Sequence, residues 1–88
     1  MTELWYVYLL ECNDSSLYCG ITTDVKRRFK EHVNGTGSKY VRSKGAKKIV
    51  WSKLIGDKSK ASIVEANIKK LPRFKKLSII NSDVIVHL

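Results

Sequence analysis

The sequence predicts a small α+β fold, a three-stranded antiparallel sheet flanked by helices in the order β-β-α-β-α-α, and three observations carry that expectation. The first is length. A chain of 88 residues has room for one domain and one modest core, burying about two thirds of its unfolded surface. The second is periodicity, which passes from runs of aromatic and β-branched residues to apolar positions at three- and four-residue steps. The third is the turn cluster Asn13-Asp14-Ser15-Ser16 between two strand-like runs, which makes a hairpin and therefore an antiparallel pair.

Trp5-Tyr6-Val7-Tyr8-Leu9-Leu10-Glu11 reads as the first strand, and its near-continuous apolar character predicts burial on both faces. Leu17-Tyr18-Cys19-Gly20-Ile21 is the second, short strand. Thr22-Thr23-Asp24 then offers helix N-caps. The helix from Val25 to about Val33 sets Val25, Phe29 and His32 or Val33 on one stripe, and Asn34-Gly35 ends it. Gly35-Thr36-Gly37-Ser38 reads as a flexible connection to a basic stretch, residues 39–48, with a short helical turn in it. Residues 48–55 form the third strand. Gly56-Asp57-Lys58-Ser59 leads into a helix from about Lys60 to Leu71, whose apolar positions are Ile63, Val64, Ile68 and Leu71. Pro72 breaks that helix or starts the next one, Arg73 to Ile80. Residues 1–81 are the predicted domain and 82–88 a C-terminal tail, in which Val84-Ile85-Val86 is an extra strand or a docked segment.

Composition narrows the function classes. Hydrophobic residues at 43% and charged residues at 28% are ordinary for a globular chain and argue against disorder. No apolar run approaches the ~18 residues a membrane helix needs, and no basic segment followed by an apolar stretch opens the chain. An intracellular protein, in the cytoplasm, nucleoid or nucleus, is therefore expected. Cys12 and Cys19 make no disulfide framework or zinc spacing and read as two reduced thiols.

Charge is more informative. The chain carries +9, and residues 24–48 hold nine bases (Lys26, Arg27, Arg28, Lys30, Lys39, Arg42, Lys44, Lys47 and Lys48) against Asp24 and Glu31. A field this clustered attracts polyanions with an affinity that falls as salt rises, so nucleic acid is the first partner expected. The plainer alternative is a lysine-rich surface kept only for solubility.

Most catalytic kits are missing. The sequence holds no nucleophile elbow, no phosphate-cradling glycine loop and no paired carboxylates at useful spacing, and His32 and His87 are too few for a histidine metal site. What remains is a hairpin with tyrosines, an arginine-bearing helix directly after it, and Glu65 in the apolar stretch Ile63-Val64-Glu65-Ala66-Asn67-Ile68. Phosphodiester hydrolysis needs a group that orients or deprotonates water, a cation for the pentacovalent charge, and often a divalent metal on a carboxylate. On spacing alone, Glu65 reads more simply as a helix-boundary glutamate.

Taken together, Trp5-Tyr6-Val7-Tyr8-Leu9-Leu10, Leu17-Tyr18-Cys19-Gly20-Ile21-Thr22-Thr23-Asp24 and Lys26-Arg27-Arg28-Phe29-Lys30-Glu31-His32 resemble the GIY-YIG nuclease superfamily, above all its small single-domain members. The resemblance spans residues 4 to about 80, with Tyr6-Val7-Tyr8 and Tyr18-Cys19-Gly20 in place of the two tripeptides. It implies a GIY-YIG-like nuclease domain over residues 1–81. It also implies a metal-dependent endonuclease that hydrolyses phosphodiester bonds in DNA, in repair or recombination, with RNA as the other candidate substrate. Tyr8 then lines the active site, Tyr18 activates the attacking water, and Gly20 lets the backbone approach closely. Arg28 contacts the scissile phosphate, His32 lies close to it, and Glu65 holds a divalent ion, Mg2+ or Mn2+. Arg27, Lys39, Arg42, Lys44, Lys47 and Lys48 are the expected nucleic-acid-binding bases.

The chain also departs from the family pattern. Tyr6 replaces the glycine of the first tripeptide, Cys19 is the central residue of the second, and Ile21 stands where some members have lysine. A family asparagine near the end of the domain has no clear match in Asn67 or Asn81. Tyr6 reads as a core aromatic and Arg27 as part of a solvated face. A tyrosine, with an ordinary pKa near 10, is a poor base at neutral pH, so Tyr18 needs cations nearby. The competing functions are a catalytically inactive nucleic-acid-binding module of the same fold and an accessory domain acting through a protein partner.

Overall fold

The computed structural model describes residues 3–82. Seven elements follow one another: β1 (Trp5–Cys12), β2 (Leu17–Thr22), α1 (Val25–Val33), α2 (Lys39–Lys44), β3 (Ala46–Gly56), α3 (Lys58–Lys69) and α4 (Arg73–Ser82). The architecture is the expected α+β one, a three-stranded antiparallel sheet with helices on it. The helical turn expected in the basic stretch is a separate helix, α2, and β3 runs longer than its apolar residues suggested. Ser82 belongs to α4; the rest of the expected tail, with Val84-Ile85-Val86 and His87, lies outside the described residues.

The strand order is β2-β1-β3, so β1 is central and hydrogen-bonded on both edges. That position explains its composition. Val7 and Leu9 face one core, with Cys19, Trp51, Ala61, Ile68 and Ile79. Tyr8, Leu10 and Cys12 face a second core with Val41, against which Tyr18, Phe29 and Ile49 pack. Each fully buried aliphatic side chain here contributes about 1.5–3 kcal/mol. α3 and α4 supply the first core, and α1 and α2 cover the second. Cys12 and Cys19 are both free and buried, in different cores on opposite faces of the sheet.

A register shift in β3 makes the two-core arrangement possible. Leu9 pairs with Trp51 but Leu10 pairs with Ile49, so Val50 is an extra residue on β3. Residues two apart in a regular strand share a face; the bulge instead sends Trp51 into the first core and Ile49 into the second.

Side-chain caps set the helix starts. Asp24 accepts from the Arg27 backbone N–H at 3.0 Å, Ser38 accepts from the N–H groups of Tyr40 and Val41, and Asp57 accepts from that of Lys60 at 2.8 Å. The Asp57 cap starts α3 at Lys58 rather than at Lys60. One alternative is decided and one expected apolar position is corrected. His32, not Val33, closes the α1 stripe, and Val33 is exposed. On α3 the inward stripe is Ala61, Val64 and Ile68, with Leu71 just beyond the helix packed on the same core, whereas Ile63 is exposed.

Candidate active site

The hairpin turn determines where the tyrosines point. Cys12 donates its N–H to the Ser16 carbonyl at 2.9 Å, and Ser15 donates to the Cys12 carbonyl at 2.9 Å. The loop is therefore the three residues Asn13, Asp14 and Ser15, with Ser15 at φ 69° making the left-handed step that such loops require. Tyr8 pairs with Gly20 and Tyr18 with Leu10. Directly paired residues share a face, so Tyr8 and Tyr18 lie on the same one, with ring centroids 6.4 Å apart. A two-residue loop would have sent them to opposite faces.

Gly20 opposite Tyr8 leaves the ring its space. A Cβ on Gly20 would lie 2.5 Å from the Tyr8 hydroxyl oxygen and 2.7 Å from Cζ. The phenol crosses the bare backbone to reach His32 on α1, where its oxygen sits 2.7 Å from Nε2. Tyr8 and His32 are 1% and 2% exposed. The Arg28 guanidinium lies near enough to the Tyr8 hydroxyl for its charge to favour the ionised phenol. Burial, opposed by Arg28, pushes the Tyr8 phenol up to about 12. Burial and then the Arg28 charge push the His32 imidazole below its ordinary value. Both groups are therefore held in their uncharged forms.

Arg28 is anchored from its own helix. Its Nη1 donates to Glu31 Oε1 at 3.0 Å, the i,i+3 geometry of neighbouring turns. Its Nε is buried with no hydrogen-bond partner among the described residues, so the guanidinium keeps an unspent donor. Glycine also admits the loop beyond α1. A Cβ on Gly37 would lie 2.5 Å from His32 Nδ1, so the connection that reads as flexible in the sequence packs closely over the histidine.

Tyr18 is half-buried amid other rings. His32 meets it edge-on at 5.4 Å, and Tyr40 of α2 stacks on it at 6.0 Å and 24°. Glu65 approaches from the other side of the sheet. α3 covers the opposite face, but β2 is an edge strand, and the Lys69 side chain reaches round it to 5.9 Å from the Tyr18 ring centroid. The same Lys69 ammonium is 3.5 Å from Glu65 Oε2, whose side chain is 22% exposed. Tyr8, Tyr18, Arg28 and His32 thus form one cluster, and Glu65 joins it through Lys69. No enclosed pocket forms at the site among the described residues.

No group of three or more His, Cys, Asp or Glu gathers among the described residues. A lone half-buried carboxylate nevertheless fits a hard, strongly hydrated cation such as Mg2+ or Mn2+, which keeps several waters and fills its shell with phosphate oxygens. Glu65 would hold such an ion once Lys69 is displaced.

The expected binding bases divide into two groups. Lys44 is paired with Asp14 at 2.9 Å and Lys47 with Glu11 at 3.9 Å. Arg27 lies 4.0 Å from Glu31 and donates to Thr23. Lys39, Arg42 and Lys48 are exposed, with no ion pair among the described residues. Sequence reasoning missed Glu31, Gly37, Tyr40 and Lys69. Glu31 and Lys69 are legible as i+3 and i+4 helical partners of Arg28 and Glu65. Gly37 and Tyr40 carry no local signal, since tertiary packing brings them to the site.

Comparison with known proteins came to the same region. The GIY-YIG catalytic domain matches residues 4–78. A UPF0213 protein of Vibrio cholerae is 47% identical over 77 residues, covering 86% of this chain and 76% of that protein. A UPF0213 protein of Oceanobacillus iheyensis is 44% identical over 80 residues, covering 91% and 93%. The solution NMR structure of a UPF0213 protein from Bacillus halodurans is similar at a TM-score of 0.57 and 42% identity, over 89% of this chain and 83% of that one.

Proposed function

The chain belongs to the GIY-YIG catalytic domain family, a nuclease superfamily, and from that premise we propose that it is a divalent-metal-dependent endonuclease that hydrolyses phosphodiester bonds in DNA. The observation that carries this reading is the cluster of Tyr8, Tyr18, Arg28 and His32 on one face of the sheet, with Glu65 linked to it through Lys69. No helix among the described residues is long and apolar enough to cross a membrane.

Each residue then has a role that follows from its surroundings. Arg28 donates to the scissile phosphate and stabilises the charge that builds on its oxygens. Glu31 holds the guanidinium in place for that contact. Tyr8, with its phenol pushed up to about 12, remains protonated and fixes the His32 ring rather than acting as a base. Tyr18 orients the attacking water, whose proton passes to solvent as the new phosphorus–oxygen bond forms. The bond to the departing nucleoside oxygen breaks, and that oxygen takes up a proton from solvent. A divalent ion on Glu65, when bound, supplies positive charge to the phosphate and the departing oxygen. Lys39, Arg42 and Lys48 hold the flanking backbone.

The test is incubation of the protein with labelled duplex, branched and single-stranded DNA, with and without Mg2+, beside Glu65→Gln. Cleavage that requires both Mg2+ and Glu65 is expected. The variant should melt within about 0.5 kcal/mol of the parent, because glutamine keeps the side chain's shape and an i,i+4 helix pair contributes only about 0.3–0.5 kcal/mol. DNA binding without cleavage under any metal would identify an inactive binding module, and a Glu65→Gln protein that cuts at the parental rate would refute the metal site.

A further inference from the structure

Tyr40 has no part in the chemistry just described, yet it is the aromatic group most openly presented at the site. It lies in the first turn of α2, whose position is set by the Ser38 cap and by Val41, fully buried against the Tyr8–Leu10–Cys12 core. The ring stacks on Tyr18, the residue is still 41% exposed, and its hydroxyl makes no hydrogen bond among the described residues. A ring kept for packing would be expected to bury more of itself. The helix around it is basic: Lys39, Arg42 and Lys44 share its six residues, and the Lys44 ammonium rests 5.4 Å from the Tyr40 centroid.

An exposed aromatic face among backbone-tracking cations is the combination that binds single-stranded nucleic acid, because every base has a face to stack and every nucleotide has a phosphate. In a duplex those faces are covered by neighbouring base pairs. We propose that Tyr40 is a stacking platform for one unpaired nucleobase of a DNA strand, in a three-layer stack of base, Tyr40 and Tyr18. The nucleotide it holds is next to the scissile phosphate, because Tyr18 is itself the second layer. The base displaces the Lys44 ammonium from the ring and leaves it with Asp14, while Lys39 and Arg42, exposed on the same helix, meet that nucleotide's phosphate. The platform makes unpaired DNA the preferred substrate; this consequence for cleavage rests on the endonuclease reading, whereas the binding site does not.

Binding is measured in EDTA, so that nothing is cut, with short single strands carrying 2-aminopurine or an abasic residue at each position in turn. The duplex of the same sequence is the comparison. Tyr40→Leu is expected to weaken single-strand binding roughly 5- to 150-fold, the range for losing one base–aromatic stack, and to lower the single-strand to duplex affinity ratio. Tyr40→Phe should bind like the parent. At one position an abasic residue should erase the difference between parent and Tyr40→Leu, and 2-aminopurine there should be quenched by the parent alone. Equal losses on single strand and duplex, or a loss no abasic position removes, would overturn the platform. Should Tyr40→Leu fold poorly, the abasic and 2-aminopurine scans on the parent and Tyr40→Phe decide alone: quenching and abasic sensitivity focused on one position support the platform, and a uniform response refutes it. A parent that binds in this position-dependent way but never cuts with Mg2+ would refute the endonuclease reading and leave the platform standing.

Discussion

Replacing Gly20 by alanine tests whether the backbone of β2 is bare because Tyr8 must cross it. The added Cβ would sit 2.5 Å from the Tyr8 hydroxyl oxygen, and ordinary contact begins at 3.4 Å, so the ring must retreat by about 0.9 Å. It has little room to do so. Tyr8 is 1% exposed, and its oxygen is engaged with His32 Nε2 at 2.7 Å, a bond that a shift of this size breaks. Overpacking of this kind costs about 1–3 kcal/mol, and the broken hydrogen bond about 1. Alanine in place of glycine in a strand returns about 0.5–1 kcal/mol, and no positive φ at Gly20 opposes that gain. The net expectation is about 1–3.5 kcal/mol of destabilisation, with Tm falling roughly 4–8 °C for each of those kcal/mol in a domain this size. Urea and thermal unfolding measure it directly. The same substitution in a Tyr8→Leu background isolates the cause, since the phenol it strikes is gone and only the alanine gain remains. If Gly20→Ala cost as much in that background as in the parent, the clash with Tyr8 would be the wrong explanation.

Three further outcomes follow from the same geometry. Because burial and Arg28 disfavour the His32 imidazolium, the folded state binds that proton less readily than the unfolded chain; its contribution is complete above the ordinary value of 6.5 and is lost as pH falls below it. Unfolding free energies at pH 7.5 and 5.0 should therefore differ more for the parent than for His32→Gln, and an equal drop in both would refute this. Arg28→Ala should lose cleavage and weaken DNA binding together, as expected of a side chain that meets the phosphate in ground and transition states alike, so unaltered cleavage by a folded variant would remove it from the site. Neutralising Lys39, Arg42 and Lys48 should flatten the salt dependence of duplex binding by roughly 0.9 for each phosphate that no longer meets a cation, more than neutralising the carboxylate-paired Lys44 and Lys47. Salt-insensitive binding would point to a protein partner instead.

Local chemistry made most of the secondary structure legible in the sequence. Aromatic and β-branched runs, a turn cluster, caps at Asp24 and Asp57 and the break at Pro72 depend on residues a few positions apart. Arg28 and His32 could be assigned to one helix face for the same reason, being one turn apart. The doubly buried character of β1 was readable as well, because a central strand needs apolar residues at odd and even positions alike.

Tertiary structure decided what composition leaves open. Whether Tyr8 and Tyr18 share a face depends on the parity of the hairpin loop, and the cluster Asn13 to Ser16 is compatible with either outcome until Ser15 takes its left-handed conformation. The bulge at Val50 reverses the facing of Ile49 relative to Trp51, although a strand pattern assigns both to one side. Tyr40 and Lys69 reach Tyr18 from a different helix each, and no spacing in the chain records that meeting. Periodicity reports which face of an element is apolar. The identity of the partner on that face is a property of how the elements pack, and here that packing brings four of the five expected catalytic side chains together and leaves the fifth tied to a lysine.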